Sequence, residues 1–193
     1  MKRYFLVGGK INPSYKVDIE EKKMFNKLNY AYTYGEITRS GLKNILEGFN
    51  TENKIFYDLG SGIGKSLIYA ITDHKFIRAV GIEFSKKRVQ QSLNLVNSQP
   101  KDISSKIEVI HGDIFDPNIN ISDADFLFIS NLCFSEESNE KLVEKINKMA
   151  KINAIIMCSR ELHSKQMKLI KKTFTIMSWS NTSPIYIYKK LML

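Results

Sequence analysis

A chain of 193 residues, 43% hydrophobic and 25% charged with a formal net charge of +9, suits one packed α/β domain and is too short for two ordinary ones. No run approaches the roughly 18 apolar residues of a membrane span, and Met1–Lys10 sets basic residues before an apolar run too brief for a signal peptide. The two cysteines, Cys133 and Cys158, lie in or beside apolar segments, which argues against a disulfide or cysteine-metal framework and for reduced thiols in an intracellular protein.

In chain order, residues 18–29 predict a helix with Ile19, Met24, Phe25 and Leu28 roughly on one face, and 38–47 predict a second. Tyr30–Glu36 between them is a loop. From Lys54 onward, strands at 54–59, 77–83, 107–111, 125–130, 153–158, 173–178 and 185–190 alternate with helices at 64–73, 85–98, 135–149 and 163–171. Such alternation implies a parallel sheet covered by helices on both faces. Seven strands are expected, the last two joined by the short Ser180–Pro184 connection.

The first strand runs into Asp58-Leu59-Gly60-Ser61-Gly62-Ile63-Gly64. Glycines in that position let the backbone approach a ligand while the following helix points its positive end at it. Two common ligand motifs fail there by one residue. The dinucleotide fingerprint requires glycine where Lys65 stands, and the phosphate loop requires glycine at Leu59, although Gly64-Lys65-Ser66 mimics its end. A second strand ends in Glu83, 25 positions after Asp58, where a βαβ unit places the acid that takes ribose hydroxyls. A third, Ile107–His111, leads into Gly112-Asp113-Ile114.

The pattern D-L-G-x-G-x-G with these two later acids resembles the class I S-adenosylmethionine (SAM) methyltransferases. That resemblance implies a Rossmann-like seven-stranded sheet and SAM as cofactor. Asp58, Gly60, Ser61, Gly62, Gly64 and Lys65 would hold it from below, Glu83 the ribose, and Asp113 with Ile114 the adenine. Further segments resemble DOT1-like protein-lysine methyltransferases in particular: Tyr34-Gly35-Glu36 upstream of the turn, Phe56–Gly64 around it, Ser130–Phe134 after the fourth strand, and Ser178-Trp179-Ser180 followed by Tyr186. By that resemblance Tyr34 and Glu36 order the methionine end of the cofactor. Ser130 or Asn131 lies beside the methyl group, and Phe134 and Tyr186, with Trp179, wall a lysine channel. The prolines of the N-P-P-Y motif of adenine and glutamine methylation are missing from Ser130-Asn131-Leu132-Cys133. Residues 1–50 then form a short helical extension with a cofactor-covering loop, in a compact microbial or viral form of the family, and 51–193 the methyltransferase domain.

Methylation of lysine ε-amines on a histone or another basic, nucleic-acid-associated protein is the reading this resemblance implies, with RNA or a small metabolite as the alternative substrate on the same scaffold. It places the protein in the nucleus of a eukaryote, or otherwise in a cytoplasm, a virion or a viral factory. No chemistry is assigned to His74, His111 or His163, and no metal is expected. Charge is unevenly spread: residues 140–193 hold 11 basic and 3 acidic side chains. Lys141, Lys145, Lys148 and Lys151, and then Lys165, Lys168, Lys171 and Lys172, recur at helical spacing. They predict basic faces on two helices, either solvated or able to contact nucleic acid or an acidic surface.

Overall fold

The computed structural model describes residues 17–192; Met1–Lys10 lies outside them. Five parallel strands form the body of one sheet: β1 (Ile55–Leu59), β2 (Arg78–Glu83), β3 (Ile107–His111), β4 (Phe126–Ile129) and β5 (Ile155–Cys158). The antiparallel pair β6 (Met167–Met177) and β7 (Ser180–Lys190) extends it, in the order β3-β2-β1-β4-β5-β7-β6. The connecting helices are α1 (Ile19–Lys27), α2 (Arg39–Leu46), α3 (Lys65–His74), α4 (Lys86–Asn97), the single-turn α5 (Lys101–Ser104) and α6 (Glu136–Met149).

Three of the helices start where a hydroxyl side chain accepts an otherwise orphaned backbone N–H: Thr38 from Gly41 at 3.0 Å, Ser85 from Arg88 at 3.3 Å and Ser135 from Ser138 at 3.1 Å. Alternation along the strands feeds two cores. On one face, Tyr57, Leu59, Val80, Ile82, Leu127 and Ile129 pack with Leu142 and Ile146 of α6. On the other, Phe56, Ala79, Phe126, Phe128, Ile185 and Ile187 pack with α2 and α3 through Leu42, Ile45, Leu67 and Ala70. The helix α2 upstream of the glycine turn therefore shares the sheet's own core.

Register levels the carboxyl ends of the strands. One row crosses the whole sheet through Ile110, Ile82, Leu59, Ile129, Cys158, Tyr186 and Lys172. One residue further along the parallel strands stand Glu83, Gly60, Ser130 and Ser159, so the acid, the first turn glycine and the serine after β4 emerge side by side.

Two expectations are corrected here. Residues 163–171 are not a helix, because Met167–Met177 form one long edge strand. The lysines looked helical since a bulge between Leu169 and Lys171 absorbs one residue, putting Lys168 and Lys171 on one face although they are three apart. The hairpin connection is Ser178-Trp179, with Met177 paired to Ser180, and Ser180–Pro184 already belong to β7. Pro184 is tolerated because β7 has outrun β5, whose last partner is Tyr186, so no ladder bond is lost on that side.

Candidate active site

The turn after β1 is built for close approach. Gly60 has φ of 97° and nothing within 4 Å of where a Cβ would stand, so its backbone faces open space beside the carboxyl edge. Gly62, at φ 56°, would place a Cβ 2.9 Å from the Tyr34 ring. Gly64 serves packing instead, since a side chain there would overlap Ser92 of α4. Ser61 turns its hydroxyl toward Gly81 of β2.

Three carboxylates converge on this turn. Asp58 is 5% exposed and accepts a short hydrogen bond from Ser66. Burial, against the help of Ser66 and reinforced by Glu83 and Glu36, raises its pKa from 3.8 to about 7. Glu83, also buried, accepts from Gly62 N and Ser85 N, each at 2.9 Å, and so ties the glycine turn to the start of α4. Glu36 accepts from the Tyr34 hydroxyl and pairs with Lys65 at 2.8 Å. Burial and the bond to Glu36 push the Tyr34 phenol well above its ordinary pKa. Gly35, Glu36, Asp58, Gly60, Gly62, Lys65, Phe128 and Ser130 line one crevice.

At the far end of the row, Asp113 accepts from Tyr30 Oη and from Phe115 N, both at 2.9 Å. A cavity of about 550 Å³ opens there between Tyr30, Asp113, Phe115, Asp116, Lys141 and Glu144. Ile114 is buried in the α6-side core. Aromatic contacts link Tyr30 to Phe84 and Phe115, with centroids at 5.8 and 5.4 Å.

The expected channel residues separate. Ser130 lines the crevice with Asp58 and Glu36. Asn131, fully buried, has its amide spent on Asn139 Oδ1 at 2.8 Å and Arg160 N at 2.9 Å. Phe134 packs against Phe115 with centroids at 6.2 Å, and Tyr186 stands beside Cys158 in the last paired row. Trp179 is seated on Gly35, where any side chain would overlap its ring, while Ser178 bonds Glu36 in both directions, donating its N–H to Glu36 O at 2.8 Å and accepting from Glu36 N at 2.9 Å. Trp179 thus holds the Tyr34-Gly35-Glu36 loop against the tip of the terminal hairpin.

Arg88 escaped the sequence reading. It is 5% exposed, its guanidinium lies 4.9 Å from the Tyr34 ring centroid and 3.8 Å from Glu83, and it donates to Tyr32 O at 2.9 Å. The signal was its place on the buried face of α4 with Val89, Ser92 and Val96, where a charge needs a partner. Glu21 of α1 was missed as well; it accepts from Ser85 Oγ and Lys87 N at the start of α4. The basic face expected on α6 is broken up. Lys145 is buried and donates to Asp116 O and Ile119 O, Lys141 pairs with Glu137, and Lys151 pairs with Asp125.

A glycine turn open to ligand, a buried acid on each of the first two strands and a sheet of this order are the arrangement of the class I SAM-dependent methyltransferase fold. Carboxylates in excess over Lys65 and Arg88 suit a ligand of net positive charge, and the space before Gly60 admits a backbone-hugging one. Solved structures agree on the fold. An RNA methyltransferase from Salinibacter ruber in complex with S-adenosyl-L-homocysteine superposes with a TM-score of 0.63 at 20% identity, covering 79% of this chain and 91% of that one. The tRNA methyltransferase TrmK of B. subtilis gives 0.61 at 17% identity, covering 78% and 65%. More specifically, residues 15–190 match the histone methylation protein DOT1 family, and the chain belongs to it. Among its relatives, a protein-lysine N-methyltransferase of Saccharolobus islandicus is 27% identical over 101 residues, 52% of this chain and 58% of that protein. A Caenorhabditis elegans histone-lysine N-methyltransferase specific for H3 lysine-79 is 28% identical over 163 residues, 79% of this chain but only 17% of that protein. Among the described residues no helix is long and apolar enough to cross a membrane, and no cluster of ligating side chains could hold a metal.

Proposed function

We propose that this protein transfers methyl groups from SAM to lysine ε-amines of a protein substrate, a histone or another basic nucleic-acid-associated protein. The observation that carries this reading is the DOT1-family match over residues 15–190, nearly the whole described fold. The segment after β4 supports it. It forms a tight turn without proline, and the one amide in it, Asn131, is consumed by Asn139 and Arg160. That amide is therefore turned inward, away from the role of gripping a planar nitrogen in adenine or glutamine methylation.

When bound, SAM supplies a methyl group activated by its sulfonium. In the proposed arrangement Glu36, with Tyr34 and Lys65, orders the methionine end; Asp58 and the backbone at Gly60 and Gly62 hold the cofactor from below; Glu83 takes the ribose; and Asp113 with Ile114 takes the adenine. Ser130 supplies the polar contact beside the methyl group. Phe134 and Tyr186 wall a narrow approach that strips water from the incoming lysine, favours its neutral nucleophilic form and aligns it with the bond to be broken. Rate then comes from alignment and desolvation. No histidine is placed as a base: His111 sits against Phe84 O, His74 closes the last turn of α3, and His163 is exposed. Residues 1–50 act as the covering extension and 51–193 as the catalytic domain.

Tritiated SAM offered with histone octamers, nucleosomes, bulk RNA and small metabolites tests the proposal. Label is expected in protein, released as methyl-lysine after acid hydrolysis. Label confined to RNA or to the metabolite fraction would overturn it.

A further inference from the structure

The sheet ends at β6, and the outer side of β6 is taken only at its far end. Ile37 forms a single antiparallel bridge to Met177, and Thr38 donates through both N and Oγ1 to Ile176 O. From Met167 to Thr175 no strand pairs outside β6 among the described residues.

The side chains along this open stretch fall into two rows because of the bulge at Ile170. Lys168 and Lys171 stand opposite Lys189 and Ile187 on one face, while Leu169, Lys172 and Phe174 stand opposite Tyr188, Tyr186 and Pro184 on the other. Leu169, Ile170 and Phe174 are 42%, 42% and 60% exposed, unusual for an edge of this length. From Leu162 to the end of the chain there are six lysines and no acidic residue. Lys190 is buried against Gln166, and the other five are exposed with no carboxylate partner among the described residues.

Lysines alone on an edge strand serve to repel other strands. Exposed leucine, isoleucine and phenylalanine between them do the opposite, so the edge discriminates among strands instead of refusing all of them. A second copy of this edge would bring lysine against lysine. A strand carrying acids on one face and apolar residues on the other would meet Lys168 and Lys171 with the first, with Lys189 of β7 behind them, and Leu169, Lys172 and Phe174 with the second.

We propose that β6 is a docking edge for a protein partner, which adds an extended segment of alternating acidic and apolar residues as an eighth strand. The backbone ladder supplies affinity and the alternating side chains supply selectivity. Such a strand would run along the same edge that Ile37 already uses, and would end against Thr38 at the start of α2, two residues beyond Glu36. Nucleic acid, the rival occupant, accounts for the lysines but not for the open ladder or the exposed aliphatic side chains.

The test uses the whole chain and a fluorescent peptide as long as the open stretch, alternating glutamate with valine and isoleucine. Anisotropy should show binding, with hydrogen exchange slowed at the β6 amides between Met167 and Thr175. Methylating alternate backbone nitrogens of the peptide should weaken binding by roughly tenfold or more, since each removes a ladder donor. The variant Lys168→Glu/Lys171→Glu/Lys189→Glu should lose the peptide to a similar degree while binding SAM as wild type, which certifies its fold. Phe174→Ser should weaken the peptide without reversing its salt dependence. Binding that leaves β6 exchange unchanged, a triple variant that keeps the peptide, or an oligodeoxythymidine that binds where the peptide does not would each overturn the proposal, the last in favour of nucleic acid.

Discussion

Asp58 should make the affinity for SAM depend on pH, in a direction set by the burial of its carboxyl. Its carboxyl is buried, with Glu83 and Glu36 nearby, and these raise its pKa to about 7 despite the hydrogen bond from Ser66. Without ligand it therefore holds a proton at pH 6. A ligand of net positive charge favours the carboxylate, so binding releases that proton and tightens as pH rises. With a free-protein pKa near 7, affinity should be about tenfold weaker at pH 6 than at pH 8, about 1.4 kcal/mol. Isothermal titration of SAM in buffers of different ionisation enthalpy would measure both the affinity and the proton released. Asp58→Asn separates this carboxyl from the ligand's own titrating groups, because the variant should bind SAM weakly and retain only the ligand's pH dependence. The ligand-free fold should show the converse effect. Between about pH 4 and 7 the folded state keeps a proton that the unfolded chain has released, so stability falls as pH rises through that window and levels off above it. If the affinity slope of Asp58→Asn equals that of wild type, the carboxyl is not coupled to the ligand and the placement of the cofactor over β1 is in error.

Three substitutions probe the other parts of the site. Glu83→Ala should weaken SAM by roughly 1.5–3 kcal/mol and also lower the melting temperature, since Gly62 N and Ser85 N lose a charged acceptor; calorimetry showing unchanged affinity would remove the ribose assignment. Gly62→Val forces a branched residue into φ 56° and against the Tyr34 ring, so SAM binding should fall at least about tenfold, with Gly62→Ala intermediate. Asn131→Ala leaves Asn139 Oδ1 and Arg160 N buried without their partner and should cost about 2–4 kcal/mol in denaturant unfolding while SAM affinity holds. A stable Asn131→Ala protein with a collapsed turnover number would instead make that amide catalytic.

The sheet and the glycine turn were readable because each depends on local chemistry. β1 to β5 are short apolar runs ending in glycine, acid or serine, and those terminal residues are the ones that register sets side by side. The last two strands were expected, but their bounds were not readable from spacing, since a bulge converts strand periodicity into a helical one at Lys168 and Lys171, and Pro184 imitates a loop wherever the neighbouring strand stops short. Arg88 and Glu21 escaped for a different reason: Arg88 reaches Tyr32 and Tyr34 and Glu21 reaches Ser85, across spans that no window of local pattern contains. Ser178 was visible as part of a motif, but its bonds to Glu36, 142 residues away, were not. The lysines of α6 show the reverse error, in which helical spacing was right but burial of Lys145 under Asp116 and Ile119 could not be seen.

Trp179 is the chain's single tryptophan, and it is stacked on Gly35. Its emission therefore comes from one place, the seam where the covering loop meets the tip of the terminal hairpin. Any departure of Tyr34-Gly35-Glu36 from the cofactor turn exposes that indole to water and shifts its spectrum to the red. The protein thus carries an intrinsic optical gauge of whether that loop lies against the glycine turn, readable in stopped flow without a label.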